Sequence, residues 1–243
     1  MSSISDKVHQ EIWELGCQIA ELTVRNQCDL TQIQTNFTSS KLLILLDMNG
    51  TLLYRSKTAL DSKYVHFSNG SYYFHRPGVR KLLKFLLSHR HWIDIAFYTS
   101  MTTKNATFGA HHLLKDMDQL YIYDQTMNKK DPEGEHDWSM MRDLPLIWNT
   151  INSPGFGHDE RSTIMIDDSW SKMREYPENV IVIPEFNESD VLHQKDDVIN
   201  KLHTALSKIL DEATILRHRA DFDIREILKA HNAELKFEKA SVN

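Results

Sequence analysis

The segment that follows the first long apolar run contains the residues best suited to chemistry in this chain. Residues 42–46 read Leu-Leu-Ile-Leu-Leu and are followed by Asp47, a glycine turn and Thr51. A short continuous apolar run of this kind is typical of a buried parallel strand. Open α/β sheets keep their reactive groups at the carboxyl ends of such strands. We therefore expect Asp47 to be a covalent nucleophile in an active site. The competing interpretation is that Asp47 only caps a turn or helix.

A second apolar segment ends in two adjacent carboxylates. Residues 163–166 read Thr-Ile-Met-Ile and precede Asp167 and Asp168. Adjacent carboxylates repel each other unless a cation neutralises them, and oxygen ligands of this kind suit Mg²⁺. The pair therefore indicates a magnesium site at a strand end. The alternative is that the pair caps a helix over residues 170–176.

Three further segments supply candidate binding groups. Residues 75–79 read His-Arg-Pro-Gly-Val and open an apolar helical stretch. The apolar strand pattern of residues 93–98 ends in the hydroxyl groups of Thr99 and Ser100. Arg142 is followed by Asp-Leu and offers a cation. The hydroxyls are alternatively plain turn residues, and Arg142 is alternatively a solvated helix charge.

Taken together and in this order, the five segments resemble the motifs of the FCP/SCP group of haloacid dehalogenase (HAD) phosphatases, over roughly residues 41–186. That group acts on the carboxy-terminal tail of RNA polymerase II and on other phosphoproteins. The resemblance implies an α/β fold of the HAD-like Rossmannoid type. In it, helices flank a parallel sheet with a β-hairpin flap and a small insertion. It also implies a protein segment, phosphorylated or not, as the partner.

The resemblance implies a role for each motif residue. Asp47 would form an aspartyl-phosphate, and Thr51 would hold the loop by a hydrogen bond from its side chain to the backbone. Thr99, or Ser100 beside it, would bind a phosphate oxygen. Arg142 stands where the family has lysine. A planar guanidinium and a compact ammonium bind anions with different geometry, so this position departs from the pattern.

The cation and the metal ligands follow from the same resemblance. Lys130 is the alternative to Arg142 as the cation. The Mg²⁺ ligands would be Asp47, the main-chain carbonyl of Asn49 and Asp168. Asp167, a further candidate ligand, would face the cation or a water on the metal.

Asn49 is the position where the chain departs most from an active phosphatase. Relatives with an aspartate there use it to protonate the leaving alkoxide and then to activate water. An amide has no usable proton near pH 7 and can do neither. Positioned acid–base groups contribute about 10²–10⁴-fold in rate, so we expect phosphoryl capture to survive while turnover falls.

Composition limits the protein class. The chain has 243 residues, a net charge of −6 and two cysteines, Cys17 and Cys28. These values argue against a nucleic-acid partner held by overall electrostatics, a disulfide framework or a zinc site. The apolar runs are far shorter than the ~20 residues that span a bilayer, and no signal-peptide core is present. We expect a soluble nuclear or cytoplasmic protein without membrane attachment.

The pattern predicts three parts. Residues 1–40 form an amphipathic helix over residues 4–24 and a link, and this helix either docks on the core or binds a partner. Residues 41–186 form the HAD/FCP-like domain. Residues 187–243 form a helical extension of two helices, with one apolar face from Val191 to Ala213. The extension either covers a sheet face or binds a partner.

Within the core, turn signals place the smaller elements. Asn69-Gly70 between aromatic runs predicts a hairpin, which would be the flap. Residues 124–137 are polar, with proline and glycine, and predict an irregular insertion. Helices are expected over residues 79–89 and 102–115, with a short strand over residues 120–123.

Two functions from different classes remain. The leading hypothesis is a Mg²⁺-dependent phosphatase-like domain that acts on phospho-Ser/Thr protein segments, with impaired turnover. The alternative is an inactive pseudophosphatase, a scaffold that binds a protein segment and assembles a complex. A phosphatase for a small molecule or a nucleic-acid end is disfavoured by the residue 75–79 motif.

Overall fold

The computed structural model of the protein describes residues 41–61, 65–134, 136, 139–193 and 196–237. The helix predicted over residues 4–24 lies outside these residues. No helix in the described part of the chain is long and apolar enough to cross a membrane.

The described residues form ten strands and six helices. The strands are β1 (Leu42–Leu46), β2 (Leu53–Ser56), β3 (Val65–Ser68), β4 (Ser71–His75), β5 (Ile93–Tyr98), β6 (Tyr121–Tyr123), β7 (Asn128–Lys130), β8 (Met140–Arg142), β9 (Thr163–Asp167) and β10 (Val180–Val182). The helices are α1 (Val79–Ser88), α2 (Thr103–Leu113), α3 (Leu144–Asn149), α4 (Glu188–His193), α5 (Val198–Leu216) and α6 (Ile224–Ala230).

A five-stranded parallel sheet forms the centre of the molecule. Its strand order is β10-β9-β1-β5-β6, and every pairing is parallel. Leu46 at the end of β1 is in register with Phe97 of β5 and with Ile166 of β9. The three strands therefore end at the same edge. Because the candidate site residues follow these strand ends, the sheet alone brings Asp47 and Asp167 together.

Strand β1 is buried on both faces, as its uninterrupted apolar sequence predicts. Leu42, Ile44 and Leu46 point into a core that includes apolar residues of α1, α2, α5 and α6. Leu43 and Leu45 point into a second core with residues of α3. The fold is therefore a three-layer α/β sandwich, which confirms the predicted fold class. A strand held from both sides is a rigid support for the residue that follows it.

The carboxy-terminal helices cover a face of the sheet, which was one of the two alternatives. Apolar residues along α5, from Val198 to Ala213, lie in the same core as one face of β1. The prediction of one continuous apolar face starting at Val191 was wrong. Val191 belongs to the separate helix α4 and packs with Phe74 and Phe186. The break lies between α4 and α5. Asp196 precedes α5 and accepts a hydrogen bond from the Val198 N–H, and the spacing of apolar residues does not reveal a polar contact of this kind.

The flap is a three-stranded antiparallel sheet in the order β2-β4-β3. Asn69 and Gly70 form its hairpin turn with φ angles of 50° and 66°. Two positive φ angles are what a two-residue hairpin turn of the favoured type needs, so the prediction is confirmed. The flap lies along α2. Asn69 Nδ2 donates to Asn105 Oδ1 at 2.9 Å, and the His66 ring stacks on His112 with centroids 4.5 Å apart.

The insertion is more regular than predicted. Asn128–Lys130 pairs with Met140–Arg142 as an antiparallel ribbon. The expectation of an irregular segment was wrong here because Asn-Lys-Lys has no alternating apolar pattern. Pairing with a distant strand, not local propensity, makes these residues extended.

Acid should weaken the fold through His75. Burial, then the neighbouring His66, His112 and Arg80, lower the pKa of His75 to about 4. An unfolded histidine has a pKa near 6.5, so the unfolded state binds more protons below that pH. This residue should reduce the free energy of unfolding by about 2 kcal/mol between pH 7 and pH 5. Chemical denaturation of the wild type and of His75→Phe at several pH values measures the effect.

His75→Phe keeps an aromatic ring but cannot be protonated. Its stability should therefore fall less steeply towards pH 5 than that of the wild type. Parallel pH profiles for the two proteins would contradict the assignment.

Candidate active site

The loop after β1 presents Asp47 at the edge of the sheet. The Met48 carbonyl accepts hydrogen bonds from the N–H groups of residues 51, 52 and 53, which closes a tight turn. Gly50 has φ of 88°, and a Cβ there would lie 2.5 Å from Asp168 Oδ2. Glycine is required both by this backbone conformation and by the close approach of Asp168. The turn therefore brings the loops after β1 and β9 into direct contact.

Arg142 is the cation at the centre of the site. Its side chain is 0% exposed, and Nη2 donates to Asp47 Oδ1 at 2.8 Å. Nε and Nη2 donate to Asp167 Oδ2 at 3.0 and 2.7 Å. The alternative of a solvated helix charge is wrong, because Arg142 lies on strand β8 and is buried. Lys130 lies on β7 with an exposed side chain, so the structure places Arg142, not Lys130, on the carboxylates.

Two residues that sequence reasoning missed hold the guanidinium in place. Asn128 Oδ1 accepts from Arg142 Nη1 at 3.0 Å, while its Nδ2 donates to the carbonyls of Thr99 and Asp124. The Tyr98 ring lies against the Arg142 guanidinium, with Cζ 4.7 Å from the ring centroid. Nothing in the polar segment 124–137 singled out Asn128. Tyr98 directly precedes the hydroxyl pair, which is the signal that was available for it.

Thr51 contacts carboxylates and not the backbone. Its Oγ1 lies 3.3 Å from both Asp47 Oδ2 and Asp168 Oδ1. The expected side-chain bond to the backbone was therefore wrong. The two loops meet so closely that the hydroxyl faces both acidic groups, and its single proton can be donated to only one at a time.

The two hydroxyl residues after β5 differ in their surroundings. Thr99 is buried, and its Oγ1 accepts from the Met101 N–H at 3.3 Å. Ser100 is exposed, and its Oγ lies 3.4 Å from Arg142 Nη1. Both residues lie at the edge of the site. Of the two, Ser100 is the one whose side chain contacts Arg142.

The side-chain hydrogen bond of Asn49 is to the flap and not to the acidic group. Its side chain is exposed, and Oδ1 accepts from the Arg55 N–H at 2.9 Å. The amide is therefore tied to the start of the flap. A carboxylate of the same shape could accept the same bond.

The charges of the three acidic residues are strongly coupled. Asp47, Asp167 and Asp168 offer oxygens that all lie within 4.8 Å of one another. Burial, followed by the charge of Asp167, raises the pKa of Asp47. Burial and the charge of Asp47 raise the pKa of Asp168 to about 7. Burial also acts against ionisation of Asp167, but the charges of Arg142 and Lys172 outweigh it and hold the pKa of Asp167 low.

The arrangement suits a bound divalent cation. Asp167 bonds Arg142 through Oδ2, and its Oδ1 accepts from the Ser169 N–H, so the helix-cap alternative accounts for only one of its oxygens. Asp47 Oδ2 and Asp168 share only the hydroxyl of Thr51 among the contacts above. Oxygen ligands that repel each other in a buried site are the donor set that a hard cation stabilises.

A buried ion pair connects the loop after β1 to the carboxy-terminal helices. Arg76 donates from Nη1 to the Thr51 carbonyl at 3.1 Å and from Nε to Asp196 Oδ2 at 2.6 Å. Both side chains are almost fully buried. Asp196 also accepts from the Val198 N–H at the start of α5. The arginine of the residue 75–79 motif therefore supports the backbone beside Asp47.

Arg142→Ala should strongly destabilise the protein. The substitution leaves Asp47 and Asp167 buried without their counter-charge, and breaking a buried ion pair in this way costs about 3–5 kcal/mol. Urea denaturation at pH 7 with a chelator present measures the change. Arg219→Ala is the matched control, because Arg219 pairs with Asp221 on the surface and should change the midpoint little. Equal effects of the two substitutions would contradict a central role for Arg142.

Comparisons with known proteins show what the chain is similar to. An uncharacterised FCP1 homology domain-containing protein from Schizosaccharomyces pombe is 22% identical over 189 residues, which cover 74% of this chain and 71% of that protein. A solved structure of Fcp1, described as an essential RNA polymerase II CTD phosphatase, superposes with a TM-score of 0.54 at 13% identity. It covers 86% of this chain and 73% of that chain. At this identity the superposition shows the fold.

A family model matches more than half of the chain. It is that of the NLI interacting factor-like phosphatases, and it spans residues 42–217. The match begins with β1 and runs through α5. The chain therefore belongs to the NLI interacting factor-like phosphatase family.

Proposed function

We propose that this chain takes the phosphoryl group of a phospho-Ser/Thr protein segment onto Asp47 with the aid of Mg²⁺, and that Asn49 slows its release. The observation that carries the proposal is the position of Asp47. It is buried at the end of a rigid strand, bonded to Arg142, and grouped with two further carboxylates. The ionised carboxylate is the nucleophile, and Arg142, together with a cation bound beside Asp47, would favour that form.

Mg²⁺ fits the charge balance of the site. The three carboxylates exceed the two nearby cations, Arg142 and Lys172, by one negative charge. Asp47, Asp168 and the main-chain carbonyl of Asn49 would hold the ion, while Asp167 remains bonded to Arg142. When bound, Mg²⁺ supplies positive charge to the nucleophile and to the phosphoryl oxygens.

The chemical steps follow from the residues of the chain. An Asp47 oxygen attacks phosphorus, so a new O–P bond forms while the bond to the serine or threonine oxygen breaks. Water then attacks the phosphorus of the aspartyl-phosphate, which releases orthophosphate and restores the carboxylate. Ser100, or Thr99 beside it, would donate a hydrogen bond from its hydroxyl to a phosphoryl oxygen; the contact of Ser100 with Arg142 supports this role.

Asn49 affects both steps. A serine alkoxide is a poor leaving group unless it is protonated, and the water of the second step needs a base. Asn49 offers neither function, and its Oδ1 is already bonded to the Arg55 N–H. We infer that the site captures phosphoryl groups from good leaving groups and then turns over slowly.

A protein segment is the substrate class that the surroundings favour. Trp170 follows the carboxylate pair by two residues and is 55% exposed. Its ring offers a large apolar surface and an indole N–H donor to a protein segment bound at the site. The solved relative is described as a phosphatase of the RNA polymerase II CTD, which is itself a protein segment.

The second candidate function is a pseudophosphatase scaffold. The specific observation in its favour is the same amide at residue 49, exposed and bonded to the flap. In this case the site around Asp47 would bind a protein segment without chemistry. Detection of an acid-stable, hydroxylamine-sensitive phosphoryl group on Asp47 separates the two functions.

Mg²⁺ should raise the thermal stability of the protein. A ligand that binds only the folded state adds about 2.7 kcal/mol when its concentration is about 100 times Kd. Asp168→Asn should remove most of this effect. Without Mg²⁺ the same substitution should raise the melting temperature, because it removes one of three mutually repelling carboxylates. Melting curves of the wild type and of Asp168→Asn, with chelator and with millimolar Mg²⁺, measure both effects. If Mg²⁺ raises the melting temperature of the two proteins equally, Asp168 is not a ligand.

An aryl phosphate should give a burst without turnover. Its phenolate leaves without protonation, so we expect release of about one phenolate per chain followed by a slow phase. A phosphoserine peptide should give almost no burst. Rapid-mixing absorbance measurements and phosphate release assays test both substrates.

Asn49→Asp should restore steady turnover on both substrates by about 10²-fold or more. The variant keeps the acceptor for the Arg55 N–H, so Asn49→Ala is the control that loses the bond and gains no acid. Asp47→Asn should abolish the burst. If Asn49→Asp binds Mg²⁺ but gains no activity on any phosphomonoester, the scaffold function replaces the enzymatic one.

A further inference from the structure

Arg142 has no N–H group left for a substrate. A guanidinium has five N–H donors. In this site they contact Asp167 from Nε, Asp47 and Asp167 from Nη2, and Asn128 and Ser100 from Nη1. The side chain is fully buried, and Tyr98 covers one face of the guanidinium. Arg142 can reach a phosphoryl group only by giving up one of these contacts.

Lys172 is a second cation at the site, and it is not saturated. It lies in the 3₁₀ turn Trp170–Met173, which directly follows the carboxylate pair. Its Nζ is 3.8 Å from Asp167 Oδ1, beyond hydrogen-bonding distance, and its side chain is 27% exposed. Among the described residues this is the single ion pair that Lys172 makes. Within the part of the chain that the structure describes, its ammonium therefore makes no hydrogen bond that a substrate would have to displace.

Lys172 lies beside the acidic group. Its Nζ is 3.8 Å from an oxygen of Asp167, and Asp167 offers an oxygen within 4.8 Å of oxygens of Asp47 and Asp168. A flexible lysine side chain at this distance can contact a group attached to Asp47. Lys129, by contrast, forms its ion pair with Glu175, which is not one of the three carboxylates.

We propose that Lys172, and not Arg142, is the cation that binds the phosphoryl oxygens of the substrate. The inference rests on the proposed phosphoryl transfer to Asp47. In it, Arg142 is a positioning residue that holds Asp47 and Asp167 in place. Lys172 donates N–H groups to the phosphoryl oxygens, stays protonated throughout and transfers no proton.

The chemistry of the two cations suits this division. A guanidinium is a rigid planar fork, and here both sides of the fork are fixed by carboxylates and Asn128. An ammonium is a compact charge on a flexible stem, so it can follow a phosphoryl group as the group moves from the leaving oxygen to Asp47. Lys172 breaks no hydrogen bond to Asp167 when its ammonium turns towards a phosphoryl group, because the 3.8 Å contact is longer than a hydrogen bond.

Orthophosphate binding and the aryl phosphate burst test the assignment. With Mg²⁺ present, Lys172→Gln should weaken orthophosphate binding, measured by calorimetry, by about 10-fold or more, since a hydrogen bond to a charged group is lost. The aryl phosphate concentration that half-saturates the burst rate should rise by a similar factor. Lys172→Arg should retain most of both. Lys208→Gln removes one positive charge from α5, where Lys208 pairs with Glu234, and should change neither.

The outcomes separate this inference from the proposed function. If the wild type is phosphorylated on Asp47 and Lys172→Gln binds orthophosphate as tightly as the wild type, Lys172 is not the phosphoryl-binding cation and the proposed function stands. If the wild type neither binds orthophosphate nor gives a burst, both fail. A Lys172→Gln protein that loses Mg²⁺ binding in parallel with phosphate would also overturn the inference, because Lys172 would then act only through the carboxylates.

Discussion

The site depends on the buried guanidinium of Arg142 between Asp47 and Asp167. At an effective dielectric constant of about 20, two carboxylates as far apart as 4.8 Å repel each other by about 3 kcal/mol. Three such groups at one sheet edge therefore need a cation inside the protein, before any substrate or metal is bound. Arg142 supplies it with donors to both carboxylates. Much of the surrounding structure serves to hold this one side chain.

Several elements meet around the guanidinium. The ribbon of β7 and β8 brings Asn128 and Arg142 together, and Asn128 in turn bonds the carbonyl that follows β5. The hydroxyl of Tyr98 accepts from the Asp143 N–H and donates to the Met127 carbonyl, so the ring under the guanidinium is also fixed. The guanidinium of Arg142 is thus held by a dedicated set of partners. This explains how a large, planar cation is accommodated without solvent contact.

The turn after β1 has a buried side and an exposed side. Asp47 and Arg142 are buried at strand ends, whereas the side chain of Asn49 is exposed and bonds the flap. The residue at position 49 is therefore not part of the buried charge network. Arg76 and Asp196 add a second support, because they connect the Thr51 carbonyl to the start of α5. The carboxy-terminal helix is in this sense part of the site.

The sequence by itself determined the strands, the flap turn and the positions of the acidic groups. An uninterrupted apolar run such as residues 42–46 can be buried on both faces only in a central strand, and Asn69-Gly70 adopts two positive φ angles at little cost. Only the tertiary structure decided which polar groups meet. Asn128 reaches the site through the pairing of β7 with β8 and bonds the Thr99 carbonyl, 29 residues away in sequence, and local patterns do not encode contacts of that range.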